Sequence, residues 1–194
     1  MAETTSPVVA LTIDDGPDAR TTPRILAALE AHGARATFFL ISERVPGNEE
    51  VVRAVVRGGH EIGNHLTRDE PSVRLSPAAF EASLLAAHEV LARFATPRWA
   101  RPGSGWYTAA MVETMRRHGY RCALGSVYPL DPHHAWPGLS ARVILRAVHP
   151  GAIIILHDGG ARGERTARVL ERVLPALAGR GFRVVTLTEL FAAG

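Results

Sequence analysis

Lysine is absent from all 194 residues, and cysteine occurs once, at Cys122. Without lysine there is no Schiff base, no phosphate-binding loop lysine and no lysine general base. One cysteine excludes an intrachain disulfide framework and any multi-cysteine metal site. No apolar run approaches the roughly 18 residues that a membrane-spanning helix needs. The opening Met1-Ala2-Glu3-Thr4-Thr5-Ser6 carries an acid and no apolar core. It therefore does not read as a secretory signal, which predicts a cytoplasmic chain, or a secreted one if a leader was removed. Disorder, collagen and coiled coil are excluded by composition.

What is present is a chain with 46% hydrophobic and 21% charged residues, a length that suits a single domain over residues 1–194. All 22 basic residues are arginine, set against 19 acids for a formal charge of +3. They are scattered and mixed with acids, so no nucleic-acid stripe emerges and no membrane surface is expected. Oligomeric state is not legible.

Strand-like and helix-like segments alternate. Val8 to Ile13, Ala36 to Ile41, Glu61 to Asn64, Trp99 to Arg101, Arg121 to Leu124, Gly151 to Leu156 and Phe182 to Leu187 read as strands. Helices are expected from Thr22 to Gly33, Glu49 to Arg57, Ser76 to Leu91, Met111 to His118, Leu139 to Val148 and Thr166 to Leu177. About seven strands interleaved with helices predict a parallel α/β sheet, either a barrel or a doubly wound sheet. Polar groups gather at the strand ends, where binding and catalysis concentrate in such folds: Asp14, Asp15, His65, Arg101, Asp131, His157 and Asp158.

Each group has two readings. Asp14-Asp15 could supply a metal ligand and a proton acceptor, or simply an Asx-type turn before Gly16-Pro17. His65 and Asp69, four apart, would share one face of a helical turn and suit a divalent ion, or be a surface pair. His60 reads as solvated or supporting rather than ligating. His157 is either a core histidine or a general acid at a cleft floor. Arg101 and Asp131 could be turn residues before Pro102 and Pro132.

Their order resolves much of this. Thr12-Ile13-Asp14-Asp15-Gly16-Pro17 resembles the first signature of the polysaccharide deacetylases, the NodB-homology or carbohydrate esterase family 4 group, and Gly59-His60-Glu61-Ile62-Gly63-Asn64-His65 resembles the second. Arg101-Pro102, Asp131 and Leu156-His157-Asp158 fall where the third to fifth stand. Ala36-Thr37-Phe38-Phe39 and Gly181 to Leu187 are similar as well.

The resemblance implies a distorted (β/α) barrel and a metal-dependent deacetylase. Asp14 would be the general base and His157 the general acid, with Arg101 orienting the base and Asp131 the acid. Asp15 and His65 would ligate one divalent ion, zinc foremost, with cobalt, nickel or manganese compatible. Gly103 and Ser104 would lie near an oxyanion-binding amide, and Ile155 or Leu156 would line an acetyl-methyl pocket. The substrate would be an acetylated sugar or a small-molecule amide.

Three positions depart from the pattern. Asp69 stands where a second histidine is usual and is the expected third ligand, one that admits harder ions such as manganese. Ser104 and Pro132 replace aromatics; Trp106, Tyr107, Tyr128, His133, His134 and Trp136 could rebuild an aromatic wall. The alternatives are an amidohydrolase cleaving another non-peptide C–N bond, or a non-catalytic carbohydrate-binding module on the same fold. A phosphotransferase with paired aspartates is disfavoured by the missing lysine.

Overall fold

The computed structural model describes residues 4–129, 131 and 136–192. Its strands are β1 (Val8–Gly16), β2 (Thr37–Leu40), β3 (Glu61–Asn64), β4 (Trp99–Ala100), β5 (Arg121–Cys122), β6 (Ile153–His157) and β7 (Arg183–Val185). The helices are α1 (Thr22–Glu30), α2 (Glu49–Arg57), α3 (Pro77–Leu91), α4 (Ala109–Arg117), α5 (Pro137–Ala147), α6 (Gly160–Gly179) and α7 (Leu187–Ala192). All seven strands pair in parallel, in the order β5-β4-β3-β2-β1-β6, with β7 also on β1. β7 takes the early half of one edge of β1, Val8 to Ala10, and β2 takes the later half from Thr12. A bridge between Val127 and Ile154 brings the chain beyond β5 to β6, so the sheet curls into a distorted barrel.

Period-2 alternation sorts the strand residues into two layers. Val9, Leu11 and Ile13 of β1, with Ile154 and Leu156 of β6, pack against Ile25, Leu29, Val52, Ile144 and Leu170 of the surrounding helices. Val8 and Ala10, with Phe39, Trp99, Ala123 and Ile153, fill the concave side. Following the second series up β1 leads through Thr12 to Asp14; following β6 leads through Ile155 to His157. Burial of both faces explains the near-continuous apolar strands.

One helix start differs informatively from expectation. The helix expected from Thr166 begins at Gly160, because Asp18, from a distant loop, accepts the Gly160 N–H (3.1 Å) and so does a cap's work without a local capping residue. α1 starts where expected, at Thr22, whose hydroxyl, like that of Thr21, donates to the buried Asp158 carboxylate and ties the end of β6 to the start of α1.

Candidate active site

A bulge creates the first half of the site. In the β1–β2 ladder Asp14 faces Phe39 and Gly16 faces Leu40, leaving Asp15 as an extra residue. Asp15 takes a left-handed backbone (φ 69°), uncommon for a residue with a Cβ. The kink defeats alternation, so adjacent carboxylates turn toward one cleft. Both are buried.

Their partners differ. Asp14 Oδ1 accepts from Arg101 Nη1 at 2.6 Å; the same nitrogen donates to Thr12 Oγ1 (2.8 Å), and Arg101 Nε donates to the Ala123 carbonyl (2.9 Å). The guanidinium lies 4.2 Å from the Phe39 ring centroid, and Arg101 is 2% exposed. Asp15 Oδ1 lies 3.4 Å from His65 Nε2, and its Oδ2 accepts from Arg162 Nη1 at 2.6 Å. Burial alone would raise the Asp15 pKa, but the His65 hydrogen bond and the charges of His65, His157 and Arg162 outweigh it and bring it to about 2.

His65 follows β3 directly, and Arg101 follows β4; Asn64 pairs with Ala100, so the two side chains arrive side by side. His65 Nδ1 donates to the Arg101 carbonyl (2.7 Å), which fixes the tautomer and leaves Nε2 facing Asp15. Burial lowers the His65 pKa, yet Asp15 and Asp14 together carry it above the ordinary value. Asn64 holds the turn: its side chain donates to the Leu84 carbonyl and Tyr120 hydroxyl and accepts from Leu66 N–H.

The second half of the site is assembled across β1 and β6, where Asp14 pairs with His157. His157 Nδ1 sits 3.0 and 3.1 Å from the two Asp131 oxygens, and Asp131 also accepts the His157 backbone N–H (3.2 Å). Burial opposes the charged ring, but the Asp131 hydrogen bond and the charges of Asp131, Asp14 and Asp15 raise the His157 pKa. Nδ1 thus carries the hydrogen given to Asp131, and Nε2 is the atom left for chemistry. The Tyr128 ring lies edge-on, 6.0 Å away.

Asp69 behaves otherwise. Residues 65–70 form a bent loop instead of a helical turn, with Leu66 in a left-handed conformation (φ 65°). The four-residue spacing therefore does not put Asp69 beside His65. Its Oδ2 accepts from Arg44 Nη2 (3.1 Å) and Arg162 Nη2 (3.4 Å), and its side chain is 44% exposed. Among the described residues no three His, Cys, Asp or Glu side chains converge on one metal position. The donor set nevertheless fits a divalent ion in part: one carboxylate oxygen and one imidazole nitrogen with its far side anchored.

Other expected residues sort clearly. His60 is buried, accepts the Ala36 N–H at Nδ1 and packs on Phe38; burial and Arg35 lower its pKa to about 4, so it is a neutral core histidine. Leu156 lies in the helix-facing apolar layer, and Ile155 is the one that shares the His157 face. The Gly103 N–H donates to Ser72 Oγ (2.7 Å), so that amide is already engaged; a Cβ at Gly103 would sit 2.2 Å from the Glu70 carbonyl. Ser104 is exposed beside it with φ 62°. Trp106, Tyr107, Tyr128 and Trp136 are exposed; Pro132, His133 and His134 fall outside the described residues. Arg162 and Arg44, which grip Asp15 and Asp69, escaped the sequence reading; Arg44 also donates to the Asp15 carbonyl.

Comparison with known proteins follows the same lines. The polysaccharide deacetylase family model matches residues 1–123. A peptidoglycan-N-acetylglucosamine deacetylase of Bacillus cereus is 34% identical over 186 residues, covering 94% of this chain and 87% of that protein. A chitooligosaccharide deacetylase of Bradyrhizobium sp. is 35% identical over 198 residues, covering 94% and 90%. The crystal structure of the Bc1960 peptidoglycan N-acetylglucosamine deacetylase superposes with a TM-score of 0.92 at 28% identity, covering 97% of this chain and 90% of that one. BA3943 of Bacillus anthracis, described as a CE4 family pseudoenzyme, gives 0.89 at 26% identity, covering 97% and 66%.

Proposed function

As this chain belongs to the polysaccharide deacetylase family, we propose that it hydrolyses an N-acetyl, or less often an O-acetyl, group on an amino sugar or oligosaccharide, using one divalent ion. The observation that carries this reading is the pair of complete dyads facing one cleft: Arg101–Asp14 and Asp131–His157. A buried carboxylate and a partly buried histidine on neighbouring strands, each tied to a partner of opposite charge type, have little structural purpose, since such groups must be compensated to stay there.

Asp15 and His65 would hold the ion, zinc being the first to try, with Asp69 a further oxygen donor once clear of its arginines. Bound there, it would polarise the acetyl carbonyl and make water a better nucleophile. Asp14 takes the proton of the attacking water, and Arg101 fixes the carboxylate's direction. Water oxygen bonds to the acetyl carbon, and the carbon–nitrogen bond breaks as His157 Nε2 gives its proton to the leaving amine. The products are acetate and a free amine. Asp131 keeps His157 charged until that moment. The exposed Trp106, Tyr107, Tyr128 and Trp136 offer rings for sugar faces in place of the aromatics replaced by Ser104 and Pro132.

The test is acetate release from acetylated amino sugars, chitooligosaccharides, peptidoglycan fragments, acetylated xylan and small amides, with the chain loaded in turn with zinc, cobalt, nickel and manganese. Release from an acetylated carbohydrate supports the reading; release only from non-acetyl amides would reassign the chain as another amidohydrolase. A second reading, a carbohydrate-binding module without turnover, is favoured by the arginines on Asp15 and Asp69. Sugar binding with no acetate under any ion would establish it.

A further inference from the structure

Arg162 is the third residue of the twenty-residue helix α6, where the helix dipole disfavours a cation. Something must hold it there, and two carboxylates do. Nη1 donates to Asp15 Oδ2 (2.6 Å) and Nη2 to Asp69 Oδ2 (3.4 Å), so one planar fork bridges the two acids. These are the acids expected to hold a divalent ion, and only the Oδ1 of Asp15 is left facing His65. Arg44 secures the far side by pairing with the same Asp69 oxygen.

We propose that Arg162 is the site's resident cation: it holds Oδ2 of Asp15 and of Asp69, beside the Asp15 Oδ1 and His65 Nε2 that face each other, and a divalent ion binds there only as Arg162 leaves. This rests on the reading that the site takes such an ion. The pairing is built for release. The Arg162 side chain is 37% exposed, whereas Asp15 is almost fully buried. A cavity of about 390 Å³, lined by Pro17, Asp18, Arg44, Asp158 and Arg162 among others, opens beside it and gives the guanidinium somewhere to go. When Arg162 withdraws, Asp15 Oδ2 comes free and Asp69 Oδ2 keeps Arg44 alone. Two arginines near the ion's position then raise the free energy of a divalent cation there, so binding is weak compared with a site of bare ligands.

The experiment measures the affinity of the full chain for zinc alone and for manganese alone, by competition with a chromophoric chelator, in wild type and Arg162→Gln. Glutamine keeps the length and the helix while removing the charge, and circular dichroism checks folding. Zinc should bind the variant about tenfold more tightly or better, one charge having left its immediate neighbourhood. Unchanged or weaker affinity would overturn the proposal. Should the variant fail to fold, a crystal of wild type soaked in zinc decides: the Arg162–Asp15 contact should be broken wherever the anomalous peak lies, and an ion bound with that contact intact overturns the idea. No binding by either chain removes the metal reading and this proposal with it. Acetate plays no part in the readout, so tighter binding without turnover refutes the deacetylase function and leaves the role of Arg162 standing.

Discussion

Asp14 and Asp15 are neighbours in sequence, both buried, and each is held by an arginine; yet the two ion pairs belong to different kinds of structure. Arg101 enters from the concave side of the sheet, is itself 2% exposed, and satisfies Asp14, Thr12 and Ala123 at once. Arg162 reaches over from a helix start, stands partly in solvent, and divides itself between Asp15 and Asp69. The first pair is architecture that presents a carboxylate in one orientation. The second is a contact that can open. Identical chemistry, carboxylate with guanidinium, is made permanent or exchangeable by what surrounds it.

The largest effect that would sharpen this contrast is on turnover. Asp14→Asn should lower acetate release roughly 100- to 10,000-fold, the range of a lost general base, while zinc affinity stays near wild type. Parallel loss of zinc binding would instead make Asp14 a ligand and blur the division. Next comes stability: Arg101→Met strands Asp14 without its partner, for which about 3–5 kcal/mol of destabilisation is expected in urea unfolding. A loss below about 1 kcal/mol would show the buried pair to be as dispensable as a surface one.

The His157–Asp131 pair predicts a pH dependence. Because the folded His157 pKa lies above its ordinary 6.5, its pairing with Asp131 stabilises fully below about 6.5 and fades as pH rises through the raised value. The alkaline limb of the rate profile should therefore lie above the ordinary histidine range. Asp131→Asn should move that limb toward acid; a profile unmoved by the change would detach Asp131 from the acid's charge. The smallest effect is expected of Arg162→Gln without metal: about 1 kcal/mol or less in urea unfolding, since the lost pair is partly exposed. A cost matching that of Arg101→Met would erase the distinction.

How much of this could be read from residue order varies by element. The strand ends carried the message for Asp14, Arg101 and His157, because a parallel strand buried on both faces leaves charged residues only toward its ends. Asp131 and His65 were legible by their place in a series of motifs. Asp69 was not, since four-residue spacing implies one face only on a helix, and the left-handed Leu66 turns the chain elsewhere. Arg162 was hidden more thoroughly: it lies among many arginines, behind Gly159-Gly160, in a helix whose start is secured by Asp18 from another part of the chain. Tertiary caps of that sort leave no local trace.

The single inserted residue in β1 also has a bearing on transplantation. Since one peptide unit separates Asp14 from Asp15, the proposed proton acceptor and the proposed donor to the ion, their spacing is set by covalent bonds and survives any flexing of the surrounding loops. An engineer wishing to graft this chemistry onto another parallel sheet would need to copy a dipeptide and its kink, and would lose both functions at once by removing a single residue there.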